Sequence, residues 1–187
     1  MKRKVMIIGA GGIGSYLIPL LDKTNLYKIT VYDPDIVEKK NLTYQNYNDW
    51  NVGETKVSVM AKRYESVMYV SKYKILTDSQ IQGYDLVVSC VDNLALRRML
   101  YDSNVEWLDL RAQGRNSALI SYMAPKEMYS SVLSGPEGSF SCQGENWDGG
   151  NTSVHFMQVA VAGLGSQWIQ RWFEDKSKVK DYMVVNL

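Results

Sequence analysis

Gly9-Ala10-Gly11-Gly12-Ile13-Gly14 is the first stretch whose residue types could do chemistry. Glycines at this spacing let a chain turn tightly after a strand, bring backbone amides against a phosphate and allow the next helix to pack closely. The helix start adds unpaired N–H groups and a partial positive charge, both suited to an anion. Asp33 ends the next β-branched run, where a carboxylate can accept both hydroxyls of a ribose. Asp92 follows a third apolar run and offers the hard oxygen that magnesium prefers, at the carboxyl end of a strand where open α/β sheets expose their ligands. The same acid could instead cap the helix that begins near Asn93. Lys56 opens another helical stretch, where the helix dipole favours acids; a bound phosphate is one explanation of it and a solvated amine another. Cys142 lies on a glycine-rich stretch, and its thiol could accept an activated carbonyl or form a persulfide. Cys90, inside an apolar run, reads as a buried, inert thiol, and His155 as a structural residue with no acid or nucleophile beside it.

These residues need elements to position them. Val5 to Ile8 is a short apolar strand, the glycine turn follows, and Ile13 to Lys23 has helical periodicity at Ile13, Leu17, Leu20 and Leu21. Lys28 to Asp33 is the next strand, so the segment reads as one βαβ unit with a parallel pairing. A long polar connection, residues 34 to 52, precedes a helix expected over Gly53 to Val67; loops of that length in compact domains tend to be functional. Tyr73 to Leu76 and Leu86 to Val91 are expected as strands and Asn93 to Tyr101 as a helix. Val105 to Leu110 and Ser117 to Met123 follow as strands, the second antiparallel because no helix separates them. Ser134 to Thr152 is glycine-rich loop, Ser153 to Glu174 a long helix with a broad apolar face, and Lys180 to Leu187 a closing strand or tail. The pattern predicts a Rossmann-like α/β fold. Its sheet is mixed, mostly parallel with antiparallel strands in the C-terminal part, and has helices on both faces; one domain covers 1–187.

Composition removes several function classes. Lys+Arg 21 against Asp+Glu 20 gives a net charge of +1, without the basic excess of a nucleic-acid binder. No apolar run is long enough to span a bilayer, and the glycine cluster after Met1-Lys2-Arg3-Lys4 spoils a signal peptide, so a cytoplasmic protein away from membranes is expected. Two cysteines and one histidine cannot supply a four-ligand structural zinc without a carboxylate.

A ribose-binding acid suits NAD and ATP equally. The residues that follow discriminate: Pro34-Asp35-Ile36-Val37-Glu38-Lys39-Lys40-Asn41-Leu42-Thr43-Tyr44-Gln45, then Val52-Gly53-Glu54-Thr55-Lys56, then Ser89-Cys90-Val91-Asp92-Asn93-Leu94-Ala95-Leu96-Arg97. In order and spacing these blocks resemble the ThiF/MoeB/HesA family, bacterial relatives of the ubiquitin-activating enzymes, from Val5 to about Phe173. The resemblance implies adenylation, with ATP and magnesium, of the C-terminal glycine carboxylate of a ubiquitin-like or sulfur-carrier protein by a homodimer. It implies that Gly9, Gly11, Gly12 and Gly14 cradle phosphates, Asp33 holds the ribose, Asn41 and Lys56 contact the triphosphate, and Asp92 holds the metal. It places Cys142 where relatives carry a thiol or metal-ligand segment, and Arg97 on a family arginine.

The sequence also departs from the family. Tyr44 stands where an arginine is usual, and the first strand begins by Lys4, where relatives have a preceding helix with an arginine that reaches the partner subunit. Lys39, Lys40, Arg3 and Arg63 are candidate substitutes. The paired Cys-x-x-Cys zinc sites of many relatives are missing. Two other readings remain: a scaffold that docks a carrier without catalysis, and an NAD-dependent oxidoreductase. Tyr122 to Lys126 has the tyrosine–lysine spacing of short-chain dehydrogenases, but Pro125 opposes the helical turn that such a pair needs.

Overall fold

The computed structural model describes residues 1–69, 77–128 and 156–186. The strands are β1 (Arg3–Ile8), β2 (Tyr27–Tyr32), β3 (Val67–Tyr69), β4 (Leu86–Ser89), β5 (Trp107–Gln113), β6 (Asn116–Ser121) and β7 (Tyr182–Asn186). They form one sheet in the order β3-β2-β1-β4-β5-β6-β7. The pairs from β3 to β5 are parallel, and β6 and β7 join antiparallel, as the sequence predicts. The helices are α1 (Gly14–Asp22), α2 (Lys56–Arg63), the single turn α3 (Asp78–Ile81), α4 (Leu94–Asp102) and α5 (Met157–Glu174).

Both faces of the sheet are apolar, because parallel strands are covered on both sides. Val5, Ile7, Val31, Val88, Leu108 and Leu110 pack with Leu17, Val57, Met60, Ile169 and Trp172 from α1, α2 and α5. Met6, Ile8, Val87, Trp107 and Ile120 pack with Ile81 and Leu100 from α3 and α4. Gly165 brings α5 close to the sheet; a Cβ there would lie 2.6 Å from Leu110 Cδ1.

Several element limits differ from expectation for local reasons. Helix α2 starts at Lys56 and not Gly53, because Gly53 takes a positive φ of 91° and Thr55 caps the helix through a 3.4 Å bond from the Ser58 amide to its hydroxyl. It ends at Arg63, and Val67, expected as its last residue, begins β3 instead. The strand expected at Tyr73 to Leu76 lies outside the described residues, as does 153–155 of the long helix. Among the described residues no helix is long and apolar enough to cross a membrane.

Candidate functional site

Hydrogen bonds tie three strand tips together. The Gly9 amide donates to the Tyr32 carbonyl and the Cys90 amide to the Ile8 carbonyl, each at 2.7 Å, so the loops after β1, β2 and β4 open side by side. The strand order reverses between β1 and β4, and a crevice forms at such a point in doubly wound sheets. A cleft of about 630 Å³ lies there. Gly9, Asp33, Asp35 and Asp92 line it with Tyr32, Leu96 and Met99.

The glycine turn is built by exclusion of side chains. Gly9 has φ 95°, and a Cβ on it would stand 2.6 Å from Val91 Cγ1 and 2.9 Å from the Cys90 carbonyl oxygen. At Gly14 a Cβ would fall 1.8 Å from the Gly9 oxygen. Those two glycines are required by packing. Gly11 is different: a Cβ there would meet only Gln45 Nε2 at 3.8 Å, an ordinary contact, so packing does not require a glycine at that position. No side chain caps α1 at Ile13; the Ser15 amide donates to the Gly11 carbonyl and the Tyr16 amide to the Ile13 carbonyl, each at 3.0 Å, so the turn's own backbone closes the start of the helix. The Tyr47 hydroxyl braces the turn from behind, donating to the Ala10 carbonyl at 2.6 Å.

Asp33 is only 5% exposed. Its Oδ2 accepts the Ala10 amide at 2.7 Å and its Oδ1 the Asp35 amide at 2.8 Å. Burial pushes its carboxyl above the ordinary aspartate value of 3.8, against the opposing pull of Lys56 and the two amides.

Lys56 is buried, and its partner is a carboxylate. Its Nζ lies 2.9 Å from Asp35 Oδ2 and 4.0 Å from Asp33 Oδ2, so its place at the start of α2 needs no phosphate to explain it. It stands behind the two acids and does not line the cleft. Asn41 is also buried and away from the cleft lining; its Oδ1 accepts the Glu38 amide at 2.8 Å and shapes the 3-10 turn Lys39–Thr43.

Asp92 is exposed at the mouth of the cleft. The cap of α4 is Asn93, whose Oδ1 accepts the Leu96 amide at 3.0 Å, so Asp92 does not serve as that cap. Among the described residues no group of three or more His, Cys, Asp or Glu is placed to hold a metal alone. A single carboxylate suits magnesium, which keeps waters and takes substrate phosphates as its other ligands.

Of the candidate cations, Arg3 sits at the opposite end of the sheet over the Phe173 ring. Arg63 is spent on the loop, donating to the Asn46 carbonyl at 2.9 Å and to Asn51 Oδ1. Lys40 pairs with Glu38 at the surface, and Lys39 is exposed beside it. Cys90 is buried, as expected. Cys142 and His155 lie outside the described residues. Tyr122 is also at the far end of the sheet, with its hydroxyl on Glu106, which removes it from the cleft chemistry of a dehydrogenase. Sequence reasoning did not nominate Asp35, Tyr47, Tyr32, Leu96 or Met99. Asp35 carried a signal, since it stands two residues beyond a strand-tip acid.

Comparison with known protein families matches residues 1–142 to the ThiF family. The chain belongs to the ThiF family. Two relatives align with part of this ThiF chain. The adenylyltransferase and sulfurtransferase UBA4 of Yarrowia lipolytica is 30% identical over 112 residues, 56% of this chain and 28% of the relative. The sulfur carrier protein adenylyltransferase of Thermus thermophilus is 31% identical over 113 residues, 56% of this chain and 42% of the relative. The chain therefore spans less than half the length of either. E. coli MccB, in a crystal structure with AMPCPP and MccA, superposes with a TM-score of 0.74 at 17% identity, covering 99% of this chain and 60% of that one. At that identity the likeness is one of fold.

Proposed function

We propose that this ThiF chain binds ATP with magnesium in the cleft and adenylates the C-terminal glycine carboxylate of a small ubiquitin-like or sulfur-carrier protein. The observation that carries this reading is the convergence of Gly9, Asp33 and Asp92 on one cleft of about 630 Å³ at the β1/β4 tips. Relatives named adenylyltransferase support the reaction class. The residues present fit the nucleotide: a side-chain-free backbone turn at Gly9, a buried acid at a strand tip and an exposed acid across the cleft. Overall, a carboxylate oxygen displaces pyrophosphate from the α-phosphorus, and bound magnesium would neutralise charge on the departing oxygens.

The chain's own residues do the holding. Ionised Asp33 accepts the ribose hydroxyls while its amide bonds keep it in place. The amides of Gly11 and Gly12 face phosphate oxygens. Asp92 supplies the protein ligand to the metal. Lys56 lies 4.0 Å from Asp33 and 2.9 Å from Asp35, so it offsets the negative field of two adjacent acids where a triphosphate must approach. Asn41 serves by fixing the 3-10 turn that carries Tyr44. The chain works as one nucleotide-binding unit, paired with a second copy.

A second reading is a docking scaffold without turnover. It is favoured by the cation inventory: Tyr44 occupies the expected arginine position, and Arg3 and Arg63 are engaged elsewhere. Radiolabelled ATP–pyrophosphate exchange, with a carrier protein ending in Gly-Gly, separates the two. Exchange that depends on the carrier supports adenylation; ATP binding without exchange supports the scaffold.

A further inference from the structure

A part-buried arginine holds the turn that carries Asp92 from beneath. Arg97, in the first turn of α4, donates from Nη2 to the Val91 carbonyl at 2.7 Å. Its Nε lies 3.2 Å from Oδ2 of Asp109, a β5 carboxylate with no solvent exposure. That same oxygen takes Arg111 Nε at 2.7 Å and the Tyr101 hydroxyl at 3.1 Å, so the anchor is fixed from both β5 and the end of α4. Both neighbours of Asp92 are thereby tied, Val91 through its carbonyl and Asn93 through its cap on the Leu96 amide. The Asp92 side chain alone is left exposed to the cleft.

We propose that Arg97 is a positioning residue: anchored on Asp109, it fixes the Val91 carbonyl and so sets the direction in which Asp92 presents its oxygens to magnesium. The inference rests on the nucleotide and magnesium reading above. The planar guanidinium donates to the Val91 carbonyl while its delocalised charge lies against Asp109 as an ion pair, a combination that the compact ammonium of a lysine on a flexible stem does not reproduce. Groups that orient a metal ligand without touching the metal typically contribute about 10–100-fold to metal affinity.

Calorimetry of ATP binding with and without magnesium tests this on wild type, Arg97→Lys and Arg97→Gln, each checked for fold by circular dichroism. Amide hydrogen exchange of residues 94–96 is measured without nucleotide. The expected result for Arg97→Lys is loss of about 10-fold or more of the magnesium-dependent ATP affinity, with metal-free ATP affinity changed less than about twofold. Exchange at 94–96 speeds up, Arg97→Gln shows a larger loss, and in an Asp92→Asn background Arg97→Lys removes no further magnesium dependence. Equal losses with and without magnesium, an unchanged magnesium dependence, or a full loss persisting in the Asp92→Asn background would each overturn the proposal. If wild type shows no magnesium-dependent affinity, the nucleotide reading itself is wrong. Unchanged exchange at 94–96 in Arg97→Lys then refutes the brace independently.

Discussion

Asp33 concentrates the chemistry at the residue scale, because one buried carboxylate satisfies two amides and faces the cleft. Asp33→Ala leaves the Ala10 and Asp35 amides without their acceptor, at about 1–3 kcal/mol for each group that stays buried. Urea unfolding should show that loss, and calorimetry a matching loss of ATP affinity. The raised Asp33 carboxyl also has a pH signature. Unfolded, the group ionises near 3.8; folded, it ionises at a higher pH, so between the two values the native state holds more protons. Its contribution to stability is therefore present at low pH and declines as pH rises through that window, while ATP affinity rises as Asp33 ionises. In a urea series against pH, the stability of wild type relative to Asp33→Asn should fall as pH rises through that window; a difference that stays constant with pH would contradict the raised carboxyl. Asp33 and Asp92 were legible in the sequence because strand ends and a glycine turn are local patterns. The partner of Lys56 was not, because Asp35 meets it only when the loop folds back to bridge Ile36 to Thr55.

At the scale of elements, β1, the glycine turn and α1 form a unit that tolerates little change. Gly14→Ala places a Cβ 1.8 Å from the Gly9 oxygen, and a displaced turn of this kind costs about 1–3 kcal/mol or more. A lower urea midpoint together with lost ATP binding is the expected outcome; unchanged values for both would contradict the packing. Asn93→Ala removes the α4 cap and should cost about 1 kcal/mol by the same measurement. The long elements could be read from the sequence because their apolar periodicity extends over several turns. The short ones could not: β3 has three residues and α3 four, too few to show a period, and Val67 was absorbed into the preceding helix. The limits of α2 turned on one glycine at positive φ and one threonine cap.

For the whole molecule, the mixed sheet and its two covered faces followed from alternating strands and helices and then from an uninterrupted strand pair. The cleft's apolar wall did not, because which side of α4 meets the tip of β2 is set by tertiary packing; Tyr32, Leu96 and Met99 converge only there. The antiparallel end closes the structure, with β7 pairing to β6 and the Trp168 indole donating to the Lys180 carbonyl at 2.8 Å. Deleting residues 181–187 uncovers the edge of β6 and should lower stability by about 2 kcal/mol or more in urea. The most direct measurement of the central claim is a crystal structure with a non-hydrolysable ATP analogue and magnesium. The account predicts the ribose hydroxyls on Asp33, the phosphates over Gly11 and Gly12, and the metal on Asp92. A nucleotide bound elsewhere, or one in the cleft that touches neither acid, would contradict it.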